Sequence, residues 1–179
     1  MTKINDYKED FKFANNPITQ KQLDQVYKEV FFPTLKEIEL IEDKKRQFEL
    51  GIDKIIHFDC NNYITLEEKM RRSAYNDILI ERYHIDNNGK KTAGWLYKTR
   101  CDILSYSICP NDILETLYLI PFVSLRMAWE NNRKEWETKF QIKGANNRTH
   151  ITYNTPIPIN VLTKEIRDLK VWKKNVGLL

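Results

Sequence analysis

The sequence is poor in the residues that mark several common functional classes. Glycine occurs five times in 179 residues, and no Gly-rich run is present. P-loop and dinucleotide-binding chemistry therefore lack their backbone signature. The three cysteines, Cys60, Cys101 and Cys109, form no Cys-x-x-Cys pair. That argues against a zinc ribbon or a disulfide framework and leaves reduced thiols as the expectation. No His-Glu-x-x-His string occurs, and none of His57, His84 and His150 has a partner at metal-ligand spacing. The apolar-rich stretch at 114–126 contains Glu115 and Pro121. It falls well short of the roughly 20 residues a membrane-spanning helix needs. The first ten residues carry charge with no apolar segment behind it, unlike a secretory leader. These absences predict a cytoplasmic protein that does not engage a membrane.

What is present suits one compact domain. The chain is 41% hydrophobic and 30% charged, and it is long enough to bury a core without staples. The net charge of +4 is unevenly placed. Residues 1–60 carry 10 basic against 12 acidic side chains, and the remainder carries 19 against 13. An acidic front with a basic remainder fits contact with a polyanion, and it equally fits an ordinary soluble surface.

Periodicity supplies the elements. Residues 1–17 are polar and read as a flexible arm, with 18–179 forming a single domain. Thr19 is placed to cap a helix over 20–31, whose Leu23, Val26, Tyr27 and Val30 recur at helical spacing, and Pro33 ends it. The stretch 34–50 is compatible with helix or strand. Residues 51–58 and 63–69, joined by the turn Asp59-Cys60-Asn61-Asn62, read as a hairpin. Strands are predicted at 77–84, 95–98, 101–108, 114–120 and 150–153, with turns at 86–89 and 144–148. Helices are predicted at 122–140 and 161–171. This order predicts an α/β (α+β) domain with a mixed central sheet flanked by helices.

The first hairpin carries the chemistry. Side chains alternate across a strand, so Glu67 and Lys69 share one face and Glu68 points to the other. Chain reversal at 59–62 brings Asp53 beside the end of the second strand, next to Glu67 and Lys69. Two carboxylates and an ammonium then meet on rigid strands, which suits metal-assisted phosphodiester hydrolysis. Mg2+ takes one or two carboxylates plus water and phosphate oxygens. Asp53 and Glu67, with the Glu68 main-chain carbonyl, can supply ligands, and Lys69 can orient water or offset developing charge. Acid–lysine pairs on neighbouring strands also dress ordinary exposed β-faces.

Gly51-Ile52-Asp53, a turn, then Glu67-Glu68-Lys69 resembles the PD-(D/E)XK nuclease superfamily, which includes Holliday-junction resolvases, restriction endonucleases and λ-type exonucleases. Arg71-Arg72, Asp77 to Glu81, Gly94-Trp95-Leu96 and Cys101 to Tyr106 follow in an order and spacing similar to nuclease-like proteins of phages and mobile elements. The resemblance covers roughly 47–130. The usual proline before the aspartate is replaced by Gly51-Ile52. It implies a restriction-endonuclease-like core and a metal-dependent DNA endonuclease using Mg2+ or Mn2+. It implies Asp53 and Glu67 as metal ligands, with Asp53, Glu67 and Lys69 as the catalytic set. Glu81, from the next strand, and Glu29, the counterpart of a first-helix acid found in many members, are further candidate ligands. Both also fit as solvated surface glutamates.

Arg71, Arg72, Lys90, Lys91, Lys98 and Arg100 are candidate phosphate contacts, and each also fits as a solubilising charge. His57 shares strand parity with Asp53 and fits either a site or a packed position. The expected partner is DNA, and analogy extends to a homodimer. The alternative reading is an inactive nuclease fold acting as a DNA-binding or protein-binding accessory or inhibitor protein of a phage or mobile element.

Overall fold

The computed structural model describes residues 7–73, 75–174 and 177–178. A seven-stranded sheet forms the centre, in the order β1 (Leu35–Leu40), β2 (Lys54–Phe58), β3 (Tyr63–Arg71), β6 (Ile103–Ile108), β7 (Thr116–Pro121), β10 (Lys170–Lys173) and β11 (Gly177–Leu178). All its pairs are antiparallel except β3–β6, which is parallel, so the sheet is mixed. The mixed α/β class expected from the sequence is therefore what the chain adopts.

A second, antiparallel sheet is an addition to the expected single sheet. Its order is β5 (Lys91–Ala93), β4 (Asp77–Asp86), β9 (His150–Pro158) and β8 (Lys143–Asn147). β6 occupies the free edge of β3, so β4 leaves the central sheet and pairs with β9 instead. This pairing joins segments some seventy residues apart, which local pattern does not reveal.

Alternation in the central strands separates two cores. Leu66, Leu117 and Leu119 face α2 (Pro17–Val30), where they meet Leu23, Val26 and Tyr27. Ile55, Leu104, Tyr106 and Ile120 face the other way, toward Ile78, Ile80 and Ile157 of the second sheet and Leu125 and Trp129 of α5 (Phe122–Lys139). The central sheet is thus a middle layer, buried on both faces.

Several local expectations are corrected. Residues 7–14 of the presumed arm form α1 (Tyr7–Ala14), held by Arg72, which bonds Asp10 and the Glu9 carbonyl and covers Phe13. The expected arm's first six residues lie outside the described ones. Asn16, not Thr19, caps α2, because Pro17 supplies the first helical residue and the Asn16 side chain accepts the Ile18 N–H. Thr19 is buried and donates to the Asp112 carbonyl. The ambiguous stretch 34–50 contains both β1 and α3 (Lys44–Leu50).

Trp95–Lys98 is one helical turn, α4, rather than a strand. Gly94 starts it, and any Cβ there would collide with the Glu81 carbonyl. The predicted helix at 161–171 ends early: α6 covers Ile159–Glu165, and the chain then extends as β10 along β7. The expected turn at 144–148 lies largely in β8, and β9 runs through Pro156 and Pro158. β8 pairs β9 only up to Asn154, so the prolines fall where that edge has no further strand partner. No described helix is long and apolar enough to cross a membrane.

Candidate functional site

Asp53 sits one residue before β2, and its N–H donates to the Leu66 carbonyl of β3 (2.7 Å). Its carboxylate turns toward β3, where Oδ2 accepts the Glu68 main-chain N–H (2.7 Å). β2 pairs β3 only as far as Lys54–Leu66, so Asp53 caps the edge of β3 where the ladder stops. On a strand, the N–H and carbonyl of one residue share an edge. The Glu68 carbonyl therefore points to the same side as Asp53.

Glu67 and Lys69 project from β3 toward the second sheet and pair directly, Lys69 Nζ to Glu67 Oε1. Glu67 is buried. Gly51 makes room for it. This glycine has left-handed backbone (φ 60°), and a Cβ on it would overlap the Thr99 hydroxyl and stand 3.0 Å from Glu67 Oε2. The glycine thus serves both the turn after α3 and the space its neighbour's carboxylate needs.

The charges interact. Burial pushes the Asp53 carboxyl up to about 7, and the nearby Glu67 carboxylate adds to that rise; Lys69 and the Glu68 N–H oppose it. Burial lowers the affinity of Lys69 for its proton, but Glu67, Asp53 and Glu81 together outweigh it, so the ammonium is held above its ordinary value. Lys69 is thereby held cationic. The structure brings together Asp53, Glu67 and Lys69 as the hairpin spacing predicts, with Glu81 facing them from β4.

The cavity that contains them measures about 810 Å³. Six carboxylates and four lysines line it, an acidic balance that favours a cation. The ligand atoms that Asp53 and Glu67 offer are oxygens. Among the described residues, no three or more His, Cys, Asp or Glu side chains converge into a metal cage of their own. A bound ion would complete its shell with water and substrate oxygens, as Mg2+ does. Two crowded carboxylates beside a strand carbonyl fit that demand.

Glu68 lies on the opposite face of β3, in a network with α2. Its Oε1 accepts from the Tyr27 hydroxyl (2.7 Å) and stands 3.2 Å from Lys54 Nζ, and its Oε2 accepts from Gln20 Nε2 (3.2 Å). Lys54 Nζ also donates to Gln20 Oε1 and Asp24 Oδ1, both at 2.7 Å. Tyr27 spends its one proton on Glu68, so Ser105, 2.6 Å away, donates to it. Burial first, and then Glu68, raise the Tyr27 hydroxyl well above its ordinary value.

Sequence reading missed this network, although a signal existed. Gln20, Asp24 and Tyr27 recur at helical spacing along one side of α2, and Lys54 is a lone ammonium in an apolar strand.

Other candidates fall elsewhere. Glu29 accepts from Trp172 Nε1 (3.3 Å) near the far end of α2 and does not line the cavity; the helix acid that does is Asp24. His57 pairs with Glu39 (2.8 Å), away from the trio. Arg71 is held by Asp77 and stacks over Tyr75, and Arg72 is held by α1. The Arg71–Asp77 pair is mostly covered, whereas the Arg72–Asp10 pair is half exposed at the surface. Lys91 lies over Tyr83 (3.9 Å), and Lys90 and Arg100 are exposed outside the cavity. Of the six basic candidates, Lys98 lines the cavity.

Lys98 stands with His84 and His150 on the wall opposite the trio. Their rings lie 5.0 Å apart, and His84 Nδ1 is 3.9 Å from Glu81 Oε1. Burial, then Lys98 and His150, lower the His84 pKa. The three cysteines are free, with Cys101 and Cys109 buried. No known protein-family model matches the sequence, and no curated protein does.

Proposed function

We propose that this protein is a divalent-metal-dependent DNA endonuclease that hydrolyses phosphodiester bonds at Asp53, Glu67 and Lys69. The observation that carries this reading is the convergence at one β-edge of two crowded carboxylates and a cationic lysine, Asp53 from just before β2 and Glu67 and Lys69 from β3. The resemblance of Asp53…Glu67-Glu68-Lys69 to the PD-(D/E)XK pattern supports the same assignment.

Asp53 and Glu67 would hold Mg2+ or Mn2+, with the Glu68 carbonyl available on the same edge and Glu81 within electrostatic reach. The ion supplies polarisation of the phosphoryl oxygen and acidification of a bound water. The residues do the rest. Glu68 N–H fixes the Asp53 carboxylate in place, so its orientation does not depend on the substrate. Glu67 holds the Lys69 side chain over the site. Lys69, kept protonated by its acidic neighbours, is placed to offset negative charge building on the phosphoryl oxygens. The hydrolysis needs no covalent enzyme intermediate: water oxygen bonds to phosphorus as the bond to the leaving oxygen breaks.

A second reading has its own supporting observation. Arg71 and Arg72 are each paired with a carboxylate of the chain and the cavity is acidic, which suits a non-cleaving binding module as well as an enzyme that relies on a metal to draw in phosphate. Incubating purified protein with DNA and Mg2+ or Mn2+ separates them. Cleavage that disappears in Glu67→Ala and Lys69→Ala supports the endonuclease. Cleavage that survives both substitutions, or is absent with either metal, contradicts it.

A further inference from the structure

Resting on the nuclease reading, we infer that Lys98, Thr152 and His84 form an anion subsite that holds a backbone phosphate of the DNA neighbouring the one being cut. This wall of the cavity is the reverse of the acidic trio: it presents donors that lack acceptors. Lys98 of α4, His84 of β4 and Thr152 of β9 all line the cavity. His84 and Thr152 are directly opposed in the β4–β9 ladder, so their side chains leave the sheet side by side on one face. Lys98 stands close enough to oppose protonation of His84.

The hydrogen-bond partners of each group show which protons are free. Of the lysines around the cavity, Lys54 and Lys69 are held by carboxylates, and Lys44 is exposed on α3. The Lys98 ammonium has no ion pair or hydrogen bond among the described residues, although its side chain is half-buried. Thr152 Oγ1 accepts from Asn147 Nδ2 (3.0 Å), so its own proton is left to donate, and it has no acceptor among the described residues. Both nitrogens of His150 are occupied, Nε2 by Asn147 Nδ2 (3.2 Å) and Nδ1 by Thr149 Oγ1 (3.0 Å), so His150 braces the wall. His84 is not tied down in this way: its Nδ1 is 3.9 Å from Glu81 Oε1, too long for a hydrogen bond. An ammonium, a hydroxyl and an imidazole N–H thus meet with nothing to donate to. The anionic oxygens of a phosphate satisfy all three.

Glu81 sets where this subsite lies relative to the cut. Its carboxylate acts on the Lys69 ammonium and stands 3.9 Å from His84, so it lies between the two groups. The phosphate at Asp53, Glu67 and Lys69 and the phosphate at Lys98 and Thr152 are therefore different ones on the same strand. Held at both points, the strand is set in register with the metal ligands.

The test uses the full chain with Mg2+ or Mn2+ and one end-labelled DNA of defined sequence. In a set of copies, one linkage at a time is a neutral methylphosphonate, and cutting is read at every other linkage. In wild type, a methylphosphonate at one fixed distance from the cut is expected to lower kcat/KM there about ten-fold, the loss of charge-assisted hydrogen bonds. Lys98→Ala is expected to erase that penalty, and Thr152→Val to reduce it to about three-fold. Lys45→Ala, which removes an exposed lysine outside the cavity, is expected to keep the full penalty. A penalty undiminished in Lys98→Ala, or absent at every linkage in wild type, overturns the subsite and leaves the nuclease reading standing. No cutting of any copy or of the unmodified DNA with either metal overturns the nuclease reading and the inference with it.

Discussion

The two faces of β3 hold the same kinds of side chain in opposite states. On the α2 face, Glu68, Lys54, Asp24, Gln20 and Tyr27 satisfy one another at hydrogen-bonding distance, and Lys54 is only 2% exposed. On the other face, Asp53 and Glu67 are crowded by like charge, with Lys69 paired to Glu67; the cavity reaches both faces past the end of the β2–β3 ladder. Buried charge that is fully partnered serves the fold. Buried charge left in excess marks a place where something else is to be bound. One residue of strand offset, Glu67 against Glu68, separates the two.

The sharpest way to widen this contrast is substitution at the crowded face. Asp53→Ala, Glu67→Ala and Lys69→Ala should each lower cleavage by about 10³-fold in single-turnover assays, with the melting transition retained. Unfolding of these variants, rather than inactivity in a folded state, would erase the distinction between the faces.

The satisfied face should respond in the opposite sense. Lys54→Ala leaves Glu68 and Asp24 without their shared cation and should cost about 3–5 kcal/mol in urea unfolding. Tyr27→Phe removes the hydroxyl that Glu68 and Ser105 share and should cost about 1–2 kcal/mol by the same measurement.

Acidity tests the crowded face again. The Asp53 carboxyl is raised in the folded chain to about 7, so the folded state binds this proton more tightly than the unfolded state does. Its contribution is fully present below the ordinary aspartate pKa and is lost as pH rises from about 4 through 7. Metal-free protein should therefore lose up to a few kcal/mol of stability across that window. Asp53→Asn should flatten the dependence, and Mg2+ should restore more stability at pH 8 than at pH 5.

The smallest effect concerns the basic residues. Lys98→Ala should reduce the salt slope of DNA binding by about one. Arg72→Ala should leave that slope unchanged and cost under about 1 kcal/mol of stability.

Much of the site was legible because a strand reports its faces two residues apart. Asp53, Glu67 and Lys69 follow from alternation and one tight turn. What was not legible depended on distant pairing. The helical turn at Trp95–Lys98 is too short to show a period, and its cause is the close passage of Gly94 under β4. β10 forms because the edge of β7 is open to it, which no local pattern records. The roles of Arg71 and Arg72 were invisible for the same reason: Asp77 holds one, and a helix that sequence reading took for a flexible arm holds the other.

Manganese titration of the folded chain at pH 8, followed by the electron paramagnetic resonance of free ion, tests the central claim most directly. One bound Mn2+ per chain, lost in Asp53→Asn and in Glu67→Gln but kept in Tyr27→Phe, is the predicted result. Equal binding by wild type and the two carboxylate variants, or no binding at all, would contradict it.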